Sequence, residues 1–169
     1  ADLSKLLGSE YLVSASPSSM SLSTAGGMFR THGMNQVDEN GWTPLMKATA
    51  SGNMELVMTL ISQGARIDIA DLVSGALVLH IAVYYNQVLI LGCLLNHIRK
   101  IESSCELNKD VSVSIINCRD RFGRSALMLA VSKNYVDIAG LLLDFGADCN
   151  DSLESGESVL MLASRAGHG

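Results

Sequence analysis

The stretch that decides the fold runs from Asn35 to Val57 and reads NQVDENGWTPLMKATASGNMELV. Its Thr43-Pro44 pair is a strong helix start, because threonine caps a helix and proline at the first helical position gives up no needed N–H. Gly52 falls where this helix has to stop, a place that favours a residue tolerating positive φ. Beyond it, Leu56-Val57 and Leu60-Ile61 have the spacing of one apolar helix face. The stretch therefore predicts two short helices joined by a tight turn.

The same pattern recurs along the chain. Four segments align on a glycine followed by a Leu-x-x-Ala core: GWTPLMKA (41–48), GALVLHIA (75–82), GRSALMLA (123–130) and GESVLMLA (156–163). Their glycines are 34, 48 and 33 residues apart, so the period is about 33 and the middle gap carries an insertion. Asn35, Asn117 and Asn150 each precede their repeat glycine by six positions. Self-similarity at this period predicts a stack of repeated structural units.

The repeat resembles the ankyrin repeat. The resemblance is carried by residues 35–57, by Gly64-Ala65 and by LLLDFGADCN (141–150), and it covers about 35–169. It implies an all-α ankyrin-repeat solenoid, with a β-turn finger and an antiparallel helix pair per repeat and a truncated last repeat. At the end of the inner helix, repeats two and three have Asn86 and Asn134, which also tolerate the left-handed conformation.

The chain departs from the family at its Thr-Pro-Leu-His turn. Only repeat one keeps Thr-Pro, and only repeat two keeps the histidine, His80, which the resemblance makes a structural residue rather than a base. Met46, Met128 and Met161 stand at that position in the other repeats. We therefore expect thioether packing to replace part of the hydrogen-bond network and the array to be less stable than the consensus.

Two segments lie outside the repeat pattern. Residues 1–34 are predicted to be an N-terminal extension with a short apolar helix and a serine-rich stretch, and residues 35–169 are predicted to hold the repeats. An insertion at about 99–114 is predicted to extend an outer helix and then form a surface loop. Because the chain stops after the inner helix of repeat four, we expect a fragment of a longer protein.

Composition excludes several functional classes. The 169 residues include 12 basic and 17 acidic side chains, for a net charge of −5, and mean hydropathy is +0.27. This excludes a disordered acidic chain and disfavours nucleic-acid binding. The longest apolar run, Val88 to Leu95, is too short for a membrane span, which needs about 18 to 20 residues. Without a phosphate-binding loop or a metal-ligand spacing, we predict no enzyme activity and no cofactor.

The four cysteines show no C-x-x-C spacing, and the given sequence contains no signal-peptide pattern. This pattern favours a reducing, intracellular compartment, cytoplasmic or nuclear. Cys93 and Cys149 are predicted to be small core residues.

The resemblance implies a concave surface of fingers and inner-helix ends that binds a protein or peptide partner, as scaffold, adaptor or regulator. Aromatic and arginine side chains dominate interface energetics, which favours a particular set of positions. They are Trp42, Tyr84, Tyr85, Arg121, Phe122, Arg124 and Lys133. A net positive third finger favours a partner with an acidic and an apolar element, although packing alone would also explain each aromatic. The alternative is a targeting or autoinhibitory domain of a larger enzyme whose catalytic part lies outside this chain.

Two further expectations concern surface positions. By resemblance, Asn150 is a candidate for hydroxylation, against the simpler interpretation of an ordinary finger asparagine.

Leu89 stands where repeats one and three have Glu55 and Asp137, and the 28 residues from Asp71 hold only one charged side chain. Glycines at 92 and 140, each costing about 1 kcal/mol relative to alanine, share one outer-helix position. These features predict a cover over the outer helix of repeat two, formed by residues 1–34, by the insertion at 99–114 or by a neighbouring domain, unless the position simply tolerates drift.

Overall fold

A computed structural model describes residues 33–104, 115–153 and 155–167, apart from the side chains of residues 102 and 104. Within these ranges it contains seven helices and no strand beyond one isolated bridge between Ser152 and Ser158. The helices are α1 (Pro44–Ala50), α2 (Met54–Ser62), α3 (Val78–Tyr84), α4 (Val88–Ser104), α5 (Ala126–Ser132), α6 (Val136–Asp144) and α7 (Val159–Arg165). The prediction of an all-α solenoid is confirmed.

The helices form two layers. The inner helices α1, α3, α5 and α7 stack in that order, and the outer helices α2, α4 and α6 pack behind the first three. Before each inner helix lies a finger, namely 38–41, 71–75, 120–123 and 153–156. Repeats one to four are numbered by these fingers. Among the described helices, the main contacts therefore join neighbouring repeats, as in other solenoids.

Local sequence sets the helix boundaries. Hydroxyl side chains cap three inner helices, at Thr43, Ser125 and Ser158. In α3 the cap position is Leu77, which has no hydroxyl, and its N–H donates instead to Nδ1 of His80 at 3.2 Å. The inner-to-outer turns have positive φ at the four predicted positions, Gly52 (72°), Asn86 (55°), Asn134 (59°) and Gly167 (73°).

One apolar core runs through the stack. Leu45, Leu79 and Leu127, at equivalent positions of the first three inner helices, are almost fully buried. The predicted outer-helix stripe is also buried, at Leu56, Val57, Leu60 and Ile61. The equivalent face of α7 differs, because Leu160 is 77% exposed and Met161 is 59% exposed.

The fingers stack through backbone hydrogen bonds. Leu72 N–H donates to the Asn40 carbonyl at 2.9 Å, and Arg121 N–H donates to the Ser74 carbonyl at 2.8 Å. Gly41 has a φ of +82°, and a Cβ there would lie 2.4 Å from the Leu72 backbone nitrogen. The first finger contact therefore requires glycine at this position.

The recurring asparagines connect successive repeats. Asn35 Oδ1 accepts from the backbone N–H of Arg66, and Asn117 Oδ1 accepts from that of Asp148, both at 2.8 Å. Each bond spans 31 residues, close to one repeat period. The six-residue offset seen in the sequence thus reflects a structural role.

The predictions made for the methionines and cysteines are confirmed at some positions and wrong at one. Met46 and Met128 are buried, and Met46 Sδ accepts from Thr43 N–H at 3.5 Å, so thioether packing does replace the turn histidine there. The prediction that Cys149 is a core residue is wrong, because its position after α6 leaves it exposed in the turn leading to finger four. Cys93 is partly buried at the contact of α2 with α4.

The insertion begins as predicted, since α4 continues to Ser104. Residues 105–114 and the extension up to residue 32 lie outside the described residues, so the covers predicted from them stay predictions. In the described part, Leu89 is 79% exposed. A Cβ at Gly140 would meet nothing within 4 Å, and one at Gly92 would make an ordinary 3.7 Å contact with Leu141. These described contacts do not account for the shared glycine position.

Candidate functional site

A shallow groove follows the concave side of α3. Its floor and walls come from three repeats, at Trp42, Asp71, Ser74, Ala76, His80, Ile81, Tyr84, Tyr85, Asp120 and Leu129. About 20 Å³ of this open groove can hold the centre of a water-sized group, which is room for roughly one such group. A partner would therefore lie mainly across this surface, with at most a small side chain inserted.

The helix end of the groove is aromatic and positively charged. The half-buried rings of Tyr84 and Tyr85 meet edge to face, with centroids 5.2 Å apart and an interplanar angle of 74°. Lys133, from the next inner-helix end, places Nζ 4.4 Å from the Tyr84 centroid in a cation–π contact. Burial raises the pKa of the Tyr85 hydroxyl, with a smaller contribution from Tyr84, so this tyrosine stays neutral near pH 7. The structure thus brings three predicted site residues together.

Finger three is held by a buried carboxylate. Asp120 accepts from the backbone N–H groups of Phe122 and Arg124 at 2.9 Å, and its second oxygen accepts from Arg124 Nε and Nη2 at 3.0 and 2.8 Å. The Arg124 guanidinium also lies 4.7 Å from the Phe122 centroid. Arg124 is therefore occupied within its own finger, where it shapes the loop, and Phe122 remains exposed at the tip.

Arg121 lies against the preceding finger. Its Nη1 donates to the Val73 carbonyl at 3.3 Å, and its side chain is exposed. Gly75 allows this approach, because a Cβ there would lie 2.9 Å from Arg121 Cγ. The arginine consequently places positive charge along the boundary between fingers two and three.

Trp42 lies in the floor of the groove rather than on its rim. It is 6% exposed and belongs to the main apolar core. Its ring supports the surface from the repeat-one side. A binding role for Trp42 stays a prediction, and burial restricts that role to contact through the groove floor.

The sequence matches a protein-family model that describes three copies of the ankyrin repeat, over residues 12–108 and again over residues 102–169. The chain belongs to the ankyrin repeat family. It is similar to the human ankyrin repeat and SOCS box protein 3, with 32% identity over 61% of this chain and 17% of that protein. It is also similar to the chicken nuclear factor NF-kappa-B p105 subunit, with 30% identity over 74% of this chain and 15% of that protein.

A third relative, the human ankyrin repeat domain-containing protein 63, is 39% identical over 32% of this chain and 14% of its own length. The chain thus spans about a sixth of the length of the relatives it matches. Ankyrin repeats are generally protein–protein interaction modules and are typically not catalytic.

Sequence reasoning missed a feature of ankyrin finger two. The Asp71 N–H donates to the Ala76 carbonyl five residues on, whereas in finger three Asp120 N–H reaches Arg124 four residues on. Finger two is therefore one residue longer. Asp71 closes it by accepting from Val73 N–H at 2.8 Å and from Ser74 Oγ at 2.6 Å. The sequence carries one sign of this extra residue, because Gly41 and Gly75 are 34 residues apart instead of 33.

His80 forms the polar wall of the groove and joins two ankyrin repeats. Besides accepting from Leu77 N–H, its other ring nitrogen lies 3.1 Å from the Arg124 carbonyl. This arrangement requires a neutral imidazole with its proton on Nε2. Burial lowers the pKa of His80, although the nearby Asp120 carboxylate opposes that effect. Both ring nitrogens are thus occupied, which agrees with the predicted structural role.

Neither a metal site of these ligands nor a membrane-spanning helix is found in the described ranges. There, no three histidine, cysteine, aspartate or glutamate side chains converge as metal ligands. The helices described are also too short or too polar to cross a bilayer.

Asn150 is exposed, and its backbone N–H donates to Asp148 Oδ1 at 2.8 Å. Its hydroxylation stays a prediction.

Proposed function

We propose that this ankyrin domain binds a protein or peptide through the groove along α3, and so serves as a scaffold, adaptor or regulator. The observation that carries the proposal is the tyrosine pair at the groove's helix end, with Lys133 on Tyr84. Tyrosine is an enriched interface residue because it offers a large, rigid contact area with a polar tip. The half-buried rings retain surface that a partner can cover.

Charge suggests the composition of the partner. Lys133 and Arg121 add positive charge beside the aromatic groove, and the described ion pairs include neither of them. A partner carboxylate beside these residues would gain electrostatic attraction, mainly increasing association rate and specificity. The small enclosed volume favours a short apolar side chain next to that carboxylate. We therefore propose a partner segment that combines a small apolar residue with an acidic one.

A peptide-display selection against the folded chain tests this proposal. We expect enriched peptides to pair aspartate or glutamate with alanine, valine or a similar small residue. A synthetic peptide of the enriched sequence should then bind Tyr85→Ala and Lys133→Glu at least tenfold more weakly, which is about 1.4 kcal/mol each. Binding is measured by isothermal titration calorimetry.

Arg99→Glu provides the matched control, because Arg99 is exposed on the outer helix α4 and the substitution also reverses one charge. Once the general effect of the changed net charge is subtracted, this variant should bind the selected peptide with an affinity close to that of the unmodified chain. If Arg99→Glu weakens binding as much as Lys133→Glu, the attraction is a general charge effect. If neither groove substitution changes affinity, the groove assignment is wrong.

A second candidate function follows from the relatives' length. Since this chain spans about a sixth of each relative, it also fits a targeting or autoinhibitory segment within a larger protein. In that case the groove would bind a segment of the same polypeptide. Adding the display-selected peptide to the full-length protein would then change its activity, whereas a simple adaptor would show no such change.

A further inference from the structure

The outer layer of the solenoid carries an open concavity along the last turns of α4. It is lined by Asn96, Arg99, Lys100 and Ser103. These positions have the i, i+3, i+4, i+7 spacing of one helix face, so the four polar side chains share one side of α4. About 400 Å³ of the concavity can hold the centre of a water-sized group, compared with about 20 Å³ in the groove. The concavity is therefore wide enough for a polyatomic anion.

The charge of this face is positive. Arg99 and Lys100 are both exposed, and no carboxylate is among the residues that line the concavity. The described ion pairs do not include Arg99. Asn96 adds a neutral amide that can also donate hydrogen bonds. The face therefore offers donors of the kind that bind phosphate oxygens.

Ser103 places a hydroxyl at the end of this face. Its side chain is exposed, and its Oγ donates to the Lys100 carbonyl at 3.0 Å. Arg99 and Lys100 precede it by four and three residues, so both cations lie one helical turn from the hydroxyl. Charge pattern is one of the features by which protein kinases select their substrates. The last turn of α4 thus combines an accessible acceptor hydroxyl with two cations beside it.

We propose that Ser103 is a phosphorylation site and that Arg99 and Lys100 hold the phosphate. A protein kinase that selects basic residues before the serine supplies the phosphoryl group from ATP. The Ser103 oxygen forms a bond to the γ-phosphorus while the bond from that phosphorus to the bridging oxygen of ADP breaks, and the hydroxyl proton passes to a base of the kinase. The product carries about −1.5 to −2 charge at pH 7 and three acceptor oxygens.

The position at the end of a helix makes the two cations necessary. The last carbonyls of a helix carry partial negative charge, which by itself opposes a phosphate at this end. Phosphorylation also removes the hydrogen that Ser103 Oγ donates to the Lys100 carbonyl. Charge-assisted hydrogen bonds from the Arg99 guanidinium and the Lys100 ammonium replace it, and such bonds are roughly twice as strong as neutral ones.

Ser62 provides a matched comparison within the same chain. It is exposed, it is the last residue of the outer helix α2, and its Oγ donates to the Thr59 carbonyl at 2.8 Å. The residues three and four positions before it are Thr59 and Met58, so its own helix places no cation one turn away. Ser62 and Ser103 therefore share the helix-end environment and differ in the neighbouring charge.

The first test measures how the phosphate is held. Phosphoserine is incorporated into the full chain at position 103 or at position 62 by expanded-code translation, and the second pKa of each phosphate is measured by phosphorus NMR. We expect the pKa at position 103 to lie at least about 0.5 units below that at position 62, because Arg99 and Lys100 favour the dianion. Combining Arg99→Gln with Lys100→Gln should remove this difference. Equal pKa values at the two positions in the unmodified background would overturn the role of the cations.

The second test measures whether the site is used. The full chain is expressed in cultured animal cells with phosphatases inhibited, and its phosphate is located by mass spectrometry. We expect phosphate at Ser103, its loss in Ser103→Ala and its decrease of at least tenfold in the Arg99→Gln, Lys100→Gln double variant. An unmodified Ser103 would overturn the proposal. Equal phosphorylation of Ser62 would also overturn it, since exposure alone would then explain the modification. Neither test depends on partner binding in the groove.

Discussion

At the scale of single residues, His80 connects repeat two to repeat three through both ring nitrogens. One accepts from Leu77 N–H, and the other lies 3.1 Å from the Arg124 carbonyl. Repeats one and three place Met46 and Met128 at the equivalent position, where a thioether fills the space. The same position is thus filled by a hydrogen-bonding histidine in repeat two and by a methionine in repeats one and three, so replacing His80 by methionine is informative.

We predict that His80→Met costs about 1–3 kcal/mol at pH 7.5, because two buried polar groups lose their partner. The folded-state pKa of His80 lies below its ordinary value of 6.5, so protonation favours unfolding. Its contribution to stability is full above pH 6.5 and is lost as pH falls below that value. Urea unfolding at pH 7.5 and 5.0 should therefore show a larger loss for the unmodified chain than for His80→Met.

His97→Gln serves as the control for this pH dependence. Burial also lowers the pKa of His97, so it contributes in the same direction, but its side chain is much less buried than that of His80. The substitution should remove less of the pH dependence than His80→Met does. An equal loss in both variants would contradict the assignment of the main effect to His80.

At the scale of elements, α5 and α7 have the same sequence pattern but different surroundings. Both start with a serine cap and contain Leu-Met-Leu, yet Leu127 and Met128 are buried while Leu160 and Met161 are exposed. The difference arises because α5 packs against α3, α6 and α7, whereas the main contact of α7 among the described helices is with α5. Helix sequence is therefore a poor guide to burial here.

We predict that Leu127→Ala lowers the free energy of unfolding by about 2–5 kcal/mol, the usual range for a buried leucine. Leu160→Ala, the matched substitution at the equivalent position, should cost less than about 1 kcal/mol, because its side chain is largely solvated already. Chemical denaturation of both variants under one set of conditions checks the pair. Similar losses would show that Leu160 is covered in solution.

At the scale of the whole molecule, the connections between repeats are unequal. Fingers one, two and three are joined by backbone hydrogen bonds, and repeats two and three also share the His80 bond. Finger four is tied to repeat three by the Arg119–Asp151 ion pair. Among the described helices, α7 makes its main contact with α5 alone, so the last repeat has the fewest neighbours and the weaker connection.

We predict that amide protection is highest in α3 and lowest in α7, since stability in a solenoid depends on nearest-neighbour interfaces. Hydrogen exchange followed by mass spectrometry should show α7 exchanging first and α3 last. Asp151→Asn should speed exchange in α7 while leaving α3 unchanged. Uniform protection across all described helices would contradict this model of graded stability.

Much of the architecture could be predicted because each repeat encodes it locally. Thr43-Pro44 is a local signal for a helix start, and the turn asparagines Asn86 and Asn134 adopt positive φ because their side chains tolerate it. The period of about 33 residues then determines a stack of such units. Hydrogen bonds and apolar spacing within one repeat suffice for these features.

Only the tertiary structure decided what each surface residue does. Trp42 has the composition of an interface residue, but the neighbouring repeat buries it. Arg124 has a free charge in the sequence, but Asp120 binds it within the finger. The Met58–Cys93 contact joins residues 35 positions apart on different helices. The sequence by itself determined the repeat, since the repeat depends on local bonds, whereas exposure and pairing depend on how the repeats pack against one another.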